Sequence, residues 1–250
     1  MIIAVTGEGK TDFGIQEYGT TKWKWGPIEV YLRKIAQEEG VDISLEAIPR
    51  QDVEGVHLQG RTLKALNGKA VPSRKFSILM KEREYQYGIY YCDADREAGT
   101  RNSSLPVALK TLEHRYQEVK QGLDACGGQK IPMIPLRMIE NWIACDTYAI
   151  ARAYQVDLSK MHRSMGGTRN YELLWGNKND PNSDYPKHYL TRLIRQLDRR
   201  LEHETPDMEK YVEIAEEQEI DILRRNCPNS FERFYQDYIG MLELEYKKED

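Results

Sequence analysis

The residues best suited to chemistry are five carboxylates: Glu8, Asp12, Asp93, Asp95 and Glu140. Three apolar runs lead into them. Ile2 to Thr6 precedes Gly7-Glu8, Gly88 to Cys92 precedes Asp93-Ala94-Asp95, and Lys130 to Leu136 leads to Glu140. Carboxylates gathered in one place repel one another unless a cation joins them. Hard oxygen donors select Mg²⁺ or Mn²⁺. Asp93 and Asp95, two apart, reach one cleft if the chain stays extended there, although aspartates in such a loop also serve to cap turns. Glu8 lies between two glycines, which leaves room for a phosphate or metal to approach the backbone. Asp12, four residues on, suits the same site or an N-cap equally well. Lys10 and Arg96 stand beside these acids and could neutralise a scissile phosphate, with surface ion pairs as the alternative. The chemistry expected is phosphodiester hydrolysis, in which bound metal activates water and stabilises the leaving oxygen. Its metal ligands would be Glu8, Asp12, Asp93, Asp95 and Glu140, and its catalytic set Glu8, Asp93, Asp95, Lys10 and Arg96.

A second motif is set aside. Ala4 to Thr11, A-V-T-G-E-G-K-T, imitates a phosphate-binding loop. Its first glycine position is Ala4, inside an apolar run, and Phe13-Gly14 and Tyr18-Gly19 interrupt the helix such a loop requires.

These residues need a scaffold. Ile2 to Thr6 reads as a strand buried on both faces, hence central and parallel. Gly7 to Trp25 reads as loop. Pro27 opens a helix whose apolar face is Ile28, Tyr31, Leu32, Ile35 and Ala36, closed by Gly40. Ile43 to Ile48, Gly88 to Cys92 and Lys130 to Leu136 read as further strands. Ser73 reads as the N-cap of a helix through about Gln86. Pro106 to Gln121 and Met138 to about Tyr154 read as helices, and residues 50–72 as irregular. This alternation predicts an α/β fold, a mainly parallel Rossmann-like sheet covered by helices. Ligands then sit at the carboxyl ends of the strands, where the acids are. After residue 155 strand signals fade. Leu190 to Leu201 and Glu209 to Glu217 read as helices, and Phe231, Phe234, Tyr235, Tyr238, Ile239 and Leu242 form one helical stripe. The expected division is an α/β metal-binding domain over 1–155 and a helical C-terminal extension over 156–250.

The chain has 250 residues, 40% hydrophobic and 30% charged, with a net charge of -4 and a mean hydropathy of -0.70. That length supports a sizeable core. No apolar run is long enough to span a bilayer, and the N-terminus lacks the basic leader of a signal peptide. The four cysteines form no CxxC pair, and zinc or a disulfide framework is not expected. The cytoplasm is the natural compartment. The acidic average hides a basic stretch between Arg50 and Arg83. Arg61, Lys64, Arg74 and Lys75 are its candidates for meeting nucleic-acid phosphates, although charge alone favours a solvated face. Arg192, Arg195 and Arg199 are read as one helix face, more simply solvated than functional.

A glutamate after the first strand and a DxD after a later one resemble the TOPRIM domain of topoisomerases, primases and the OLD (overcoming lysogenisation defect) nucleases. Gly7-Glu8-Gly9-Lys10-Thr11-Asp12 and Tyr91-Cys92-Asp93-Ala94-Asp95-Arg96 carry the resemblance. The Glu8-x-x-x-Asp12 spacing and the later Glu140 are similar to the OLD branch, with Met138 where that branch has a serine. Pro135 to Trp142 and Leu223 to Phe234 resemble segments of a small stand-alone TOPRIM-like family of bacteria whose function is unknown. The resemblance implies a TOPRIM-like, Mg²⁺-dependent nuclease. It would cleave DNA or RNA in an antiviral defence system, beside an ATPase of the ABC or AAA type. A non-catalytic subunit that binds nucleic acid or the ATPase is the alternative. The residues do not decide between DNA and RNA, and self-association stays open.

Overall fold

Short β-branched and aromatic runs build the centre of the molecule. In the computed structural model, residues 1–58, 66–94, 104–157 and 170–246 are described. Four strands, β1 (Ile2–Gly7), β4 (Ser44–Ala47), β5 (Tyr87–Tyr91) and β6 (Gln129–Met133), form a parallel sheet in the order β4-β1-β5-β6. Parallel strands need crossovers, and helices supply them. These are α1 (Pro27–Glu38) and α3 (Ala70–Glu82), preceded by the short α2 (Arg50–Gly55), then α4 (Leu105–Leu123). β1 is buried on both faces, as its unbroken apolar run requires. Ile3 and Val5 enter one hydrophobic cluster with α1, and Ala4 enters a second with α3 and α4.

The C-terminal half is helical: α5 (Ile139–Ala144), α6 (Thr147–Ala153), α7 (Pro186–Leu197), α8 (Met208–Glu217), α9 (Ile220–Asn226) and α10 (Phe231–Tyr246). The stripe Phe231, Phe234, Tyr238 and Leu242 packs into the same cluster as Ile3, Val5 and Ile89. The helical region therefore shares the core of one sheet face. Among the described residues no helix is long and apolar enough to cross a membrane.

Several expectations needed correction. The segment expected to be loop contains an antiparallel hairpin, β2 (Gly14–Gln16) with β3 (Trp23–Trp25), too short for alternation to reveal. Arg50–Gly55 is helical rather than irregular. Ser73 is not an N-cap. It lies buried inside α3 and donates its hydroxyl to Lys69 O at 2.7 Å. The helix starts earlier because Pro72, in its first turn, has no amide hydrogen to lose. The single helix expected over 138–154 is two. Asp146 adopts an extended backbone and caps α6, accepting from the Tyr148 and Ala149 amides at 3.0 Å each. Arg192, Arg195 and Arg199 do not share a helix face, because α7 ends at Leu197 and Arg199 lies in the 3₁₀ turn Arg199–Leu201. Arg192 binds Pro181 O and Ser183 O, and Arg195 binds Glu204 O, so both fasten neighbouring loops.

Candidate metal centre

Sheet register brings the acids together. β1 and β5 are neighbours with Gly7 opposite Tyr91, so Glu8 and Cys92-Asp93 leave the sheet side by side. The Asp93 amide donates to Glu8 Oε1 at 3.2 Å. Beside β5, the pairing with β6 outlasts the strands: Cys92 N donates to Met133 O at 3.2 Å and Ala94 N to Pro135 O at 3.3 Å. This carries residues 133–135 alongside Asp93 and sets Glu140 in the first turn of α5. Asp12 arrives by a tight turn, in which the Asp12 and Phe13 amides both donate to Gly9 O. Gly9 has φ +88, and a Cβ there would lie 2.5 Å from Asp12 Oδ2, so a side chain would meet both backbone strain and the carboxylate. A turn followed by a strand, not a helix, after Lys10-Thr11 agrees with setting the phosphate-loop motif aside.

Asp12, Asp93 and Glu140 form the inner group. Burial, followed by the Glu140 charge, pushes Asp12 up to about 7, against the lowering effect of Thr11 and Lys187. Burial, then Asp12 and Glu140, holds Asp93 well above the ordinary carboxylate range. The Tyr91 hydroxyl lies 3.1 Å from Asp12 Oδ2 and 2.9 Å from Asp93 Oδ1. A phenol has one proton to donate. When Tyr91 donates to one carboxylate, the other must itself carry a proton to complete the pair of contacts, which the raised values supply. Glu140 is 1% exposed. Its Oε1 accepts from Tyr211 at 3.2 Å and faces Lys187 Nζ at 3.4 Å. Its Oε2 is buried with no hydrogen-bond partner. Burial alone would lower Lys187, but Glu140 and Asp12 outweigh it and raise it.

Glu8 faces the other way as well. Its Oε2 pairs with Lys69 Nζ at 2.5 Å, and Lys69 is only 6% exposed. The pair lines a cavity of about 390 Å³, to which Arg50, Arg115 and Tyr90 also contribute. Arg115 bridges Glu118 at 2.6 Å and reaches Ala94 O at 3.4 Å. Lys10 is exposed and lines an adjoining cavity.

Four of the five expected ligands, Glu8, Asp12, Asp93 and Glu140, thus lie at the carboxyl end of the sheet, without converging on one point. Asp95 and Arg96 lie outside the described residues, as do Arg61 and Lys64. Among the described residues, no group of three or more His, Cys, Asp or Glu side chains is close enough to hold one metal ion. The donor chemistry suits a hard divalent cation: oxygen-only, mutually repelling, with a bare buried oxygen on Glu140. Lys69, Lys187, Tyr91 and Tyr211 answer these charges instead, and none of the four was singled out from the sequence. Tyr91 looked like strand interior. Lys69 was one of many basic residues in its stretch. Lys187 and Tyr211 come from the C-terminal helices, far away in sequence. Of the expected nucleic-acid contacts, Lys75 donates to Glu54 O at 2.8 Å and ties α3 to α2, while Arg74 is half-buried on the same helix.

In the motif segments Pro135 to Trp142 and Leu223 to Phe234, Trp142, Ser230, Asn229 and Arg137 make packing and hydrogen-bond contacts away from the acids. Trp142 Nε1 donates to Ser230 Oγ at 2.9 Å, and Ser230 Oγ donates to Glu172 Oε1 at 2.5 Å. Glu172, fully buried, also accepts the Asn229 and Ser230 amides at the start of α10. Arg137 is buried beneath Trp175, 5.2 Å from its ring centre. Against this geometry, no family model, no curated protein and no solved structure matches the chain.

Proposed function

We propose that the protein is a Mg²⁺-dependent, TOPRIM-like nuclease acting on DNA or RNA. The observation that carries the reading is the inner carboxylate group: Asp12 is pushed up by burial and then Glu140, Asp93 by burial and then Asp12 and Glu140, with Glu140 Oε2 left bare. Such a group gains free energy when a divalent cation replaces protons, because the cation stabilises all the charges at once. Asp12, Asp93 and Glu140 would have to draw closer together to hold the ion, with Glu8 beside them, and Asp95 is included by its place in the sequence alone. When bound, Mg²⁺ supplies Lewis acidity and a more acidic water. The chain's own residues orient and neutralise. Tyr91 fixes the Asp12 and Asp93 carboxyls, Tyr211 fixes Glu140, and Lys187 and Lys10 offer positive charge to a phosphate oxygen. The resemblance in sequence adds an ATPase partner and a role in antiviral defence.

One observation favours a second reading, a non-catalytic subunit that binds nucleic acid or the ATPase. Lys69 and Lys187 already answer Glu8 and Glu140, as internal cations do where no metal binds. Incubation of purified protein with mixed nucleic acids and Mg²⁺ or Mn²⁺, with Asp93→Asn and Glu8→Ala as controls, separates the two. Cleavage lost in both folded variants supports the nuclease. Cleavage that persists in both refutes this site, and salt-sensitive binding without product supports the second reading.

A further inference from the structure

We infer that the hairpin β2–β3 is a stacking platform that selects single-stranded nucleic acid. The inference rests on the nuclease reading and names its substrate class. The hairpin is fastened to the end of β1 beside Glu8. Trp23 is half-buried, donates its Nε1 to Phe13 O at 3.1 Å, and packs against the Phe13 ring at 4.8 Å. Trp25 closes the cluster, 5.6 Å from Phe13. An indole fixed this way presents its remaining face with little entropy left to lose on binding. It lines a cavity of about 500 Å³ with Ile15, Gln16, Lys10, Glu8 and Arg50. Ile15 is 39% exposed and Tyr18, at the hairpin tip, fully so.

This cavity and the one beside Lys69 share Gly7, Glu8 and Arg50, so they form one trough across the end of β1. Its chemistry changes along its length. Trp23, Ile15 and the exposed Lys10 line one cavity, Lys69 and Arg115 the other, and Arg50 both; Arg50, Lys69 and Arg115 are held in place by Glu54, Glu8 and Glu118, which a phosphate would have to displace or share. Aromatic and apolar surface next to cations is what an unstacked strand needs, with bases on the rings and phosphates on the charges. In a duplex the base faces are already covered by their neighbours, and the indole finds nothing to stack on.

The test is fluorescence anisotropy in EDTA, at fixed salt, with a labelled oligothymidylate of about 12 nucleotides and a duplex of equal length. The single strand is expected to bind at least about tenfold more tightly, and Ile15→Glu to weaken it about fivefold or more. Ile15 is exposed enough for that variant to fold, which circular dichroism checks. Trp23→Phe keeps an aromatic ring in the cluster and is expected to remove most of the quenching of protein fluorescence by the oligonucleotide. Equal affinity for strand and duplex, or unchanged binding by Ile15→Glu, overturns the platform. So does a shift in sedimentation of free Ile15→Glu, which would assign the hairpin to a second copy of the chain. Because binding is read without metal, the two readings fail separately. Single-strand preference without Mg²⁺-dependent cleavage overturns the nuclease alone, and cleavage without that preference overturns the platform alone.

Discussion

Asp12→Asn is expected to stabilise the metal-free protein while removing its response to divalent cations. Asp12 is 7% exposed and its carboxyl is raised from 3.8 to about 7. Between those values the folded state binds a proton that the unfolded state has released. The stability this group contributes is therefore fully present below about pH 4 and lost as pH rises towards 8. A shift of about 3 units corresponds to about 4 kcal/mol withdrawn at alkaline pH. Asparagine has no such proton to lose. Its carbonyl oxygen can accept from Thr11, as Asp12 Oδ1 does at 2.7 Å, and its amide can donate to Tyr91 O. Some amide desolvation cost remains, so a gain of about 2–4 kcal/mol at pH 8 is expected. For a chain of this length that is a rise in Tm of about 5–10 °C. The assay is thermal unfolding of both proteins from pH 4 to 8, in EDTA and in excess Mg²⁺. The gap between variant and parent should open with pH in EDTA. Mg²⁺ should raise the parent's Tm at pH 8 and leave the variant's unchanged. An Asn variant less stable than the parent at pH 8 in EDTA would refute the electrostatic argument, and an equal Mg²⁺ response in both would refute Asp12 as a ligand.

Glu172→Gln should lose about 2–4 kcal/mol, because a neutral amide replaces a buried carboxylate that accepts four hydrogen bonds from Asn229 and Ser230. Urea denaturation measures this, and a loss near zero would mean the start of α10 is held by packing alone. Gly26→Ala should disturb the acids without touching them. A Cβ at Gly26 would stand 2.2 Å from Asp12 O, so the turn bearing Asp12 must move away from α1. Lower stability and a weaker Mg²⁺ effect on Tm are expected together, and an unchanged Mg²⁺ effect would show that the placement of Asp12 does not depend on this contact.

Particular residues show where the sequence was legible. The unbroken apolar run of β1 marked a strand buried on both faces, since no alternation means no solvated face, and the strand–helix alternation placed β5 in the same parallel sheet. Their ends then located Glu8 and Asp93. The amphipathic stripes of α1 and α10 were equally readable, because their period is local. Boundaries that hang on one side chain were not: Ser73 has the right chemistry for an N-cap, but a buried site in α3, and Asp146 breaks a helix whose apolar pattern runs on through it. The hairpin at Gly14–Trp25 is too short to carry a period.

The candidate site divides the same way. By itself the sequence determined which residues have chemistry to offer and, through the strand pattern, that Glu8, Asp93 and Glu140 share one end of the sheet. Only the tertiary structure decided what each carboxylate faces. Lys69 meets Glu8, Tyr91 lies between Asp12 and Asp93, and Lys187 and Tyr211 reach Glu140 from the C-terminal helices. Charge interactions act through space and depend on burial, and neither distance nor burial between residues 12, 140 and 187 is encoded in any local pattern.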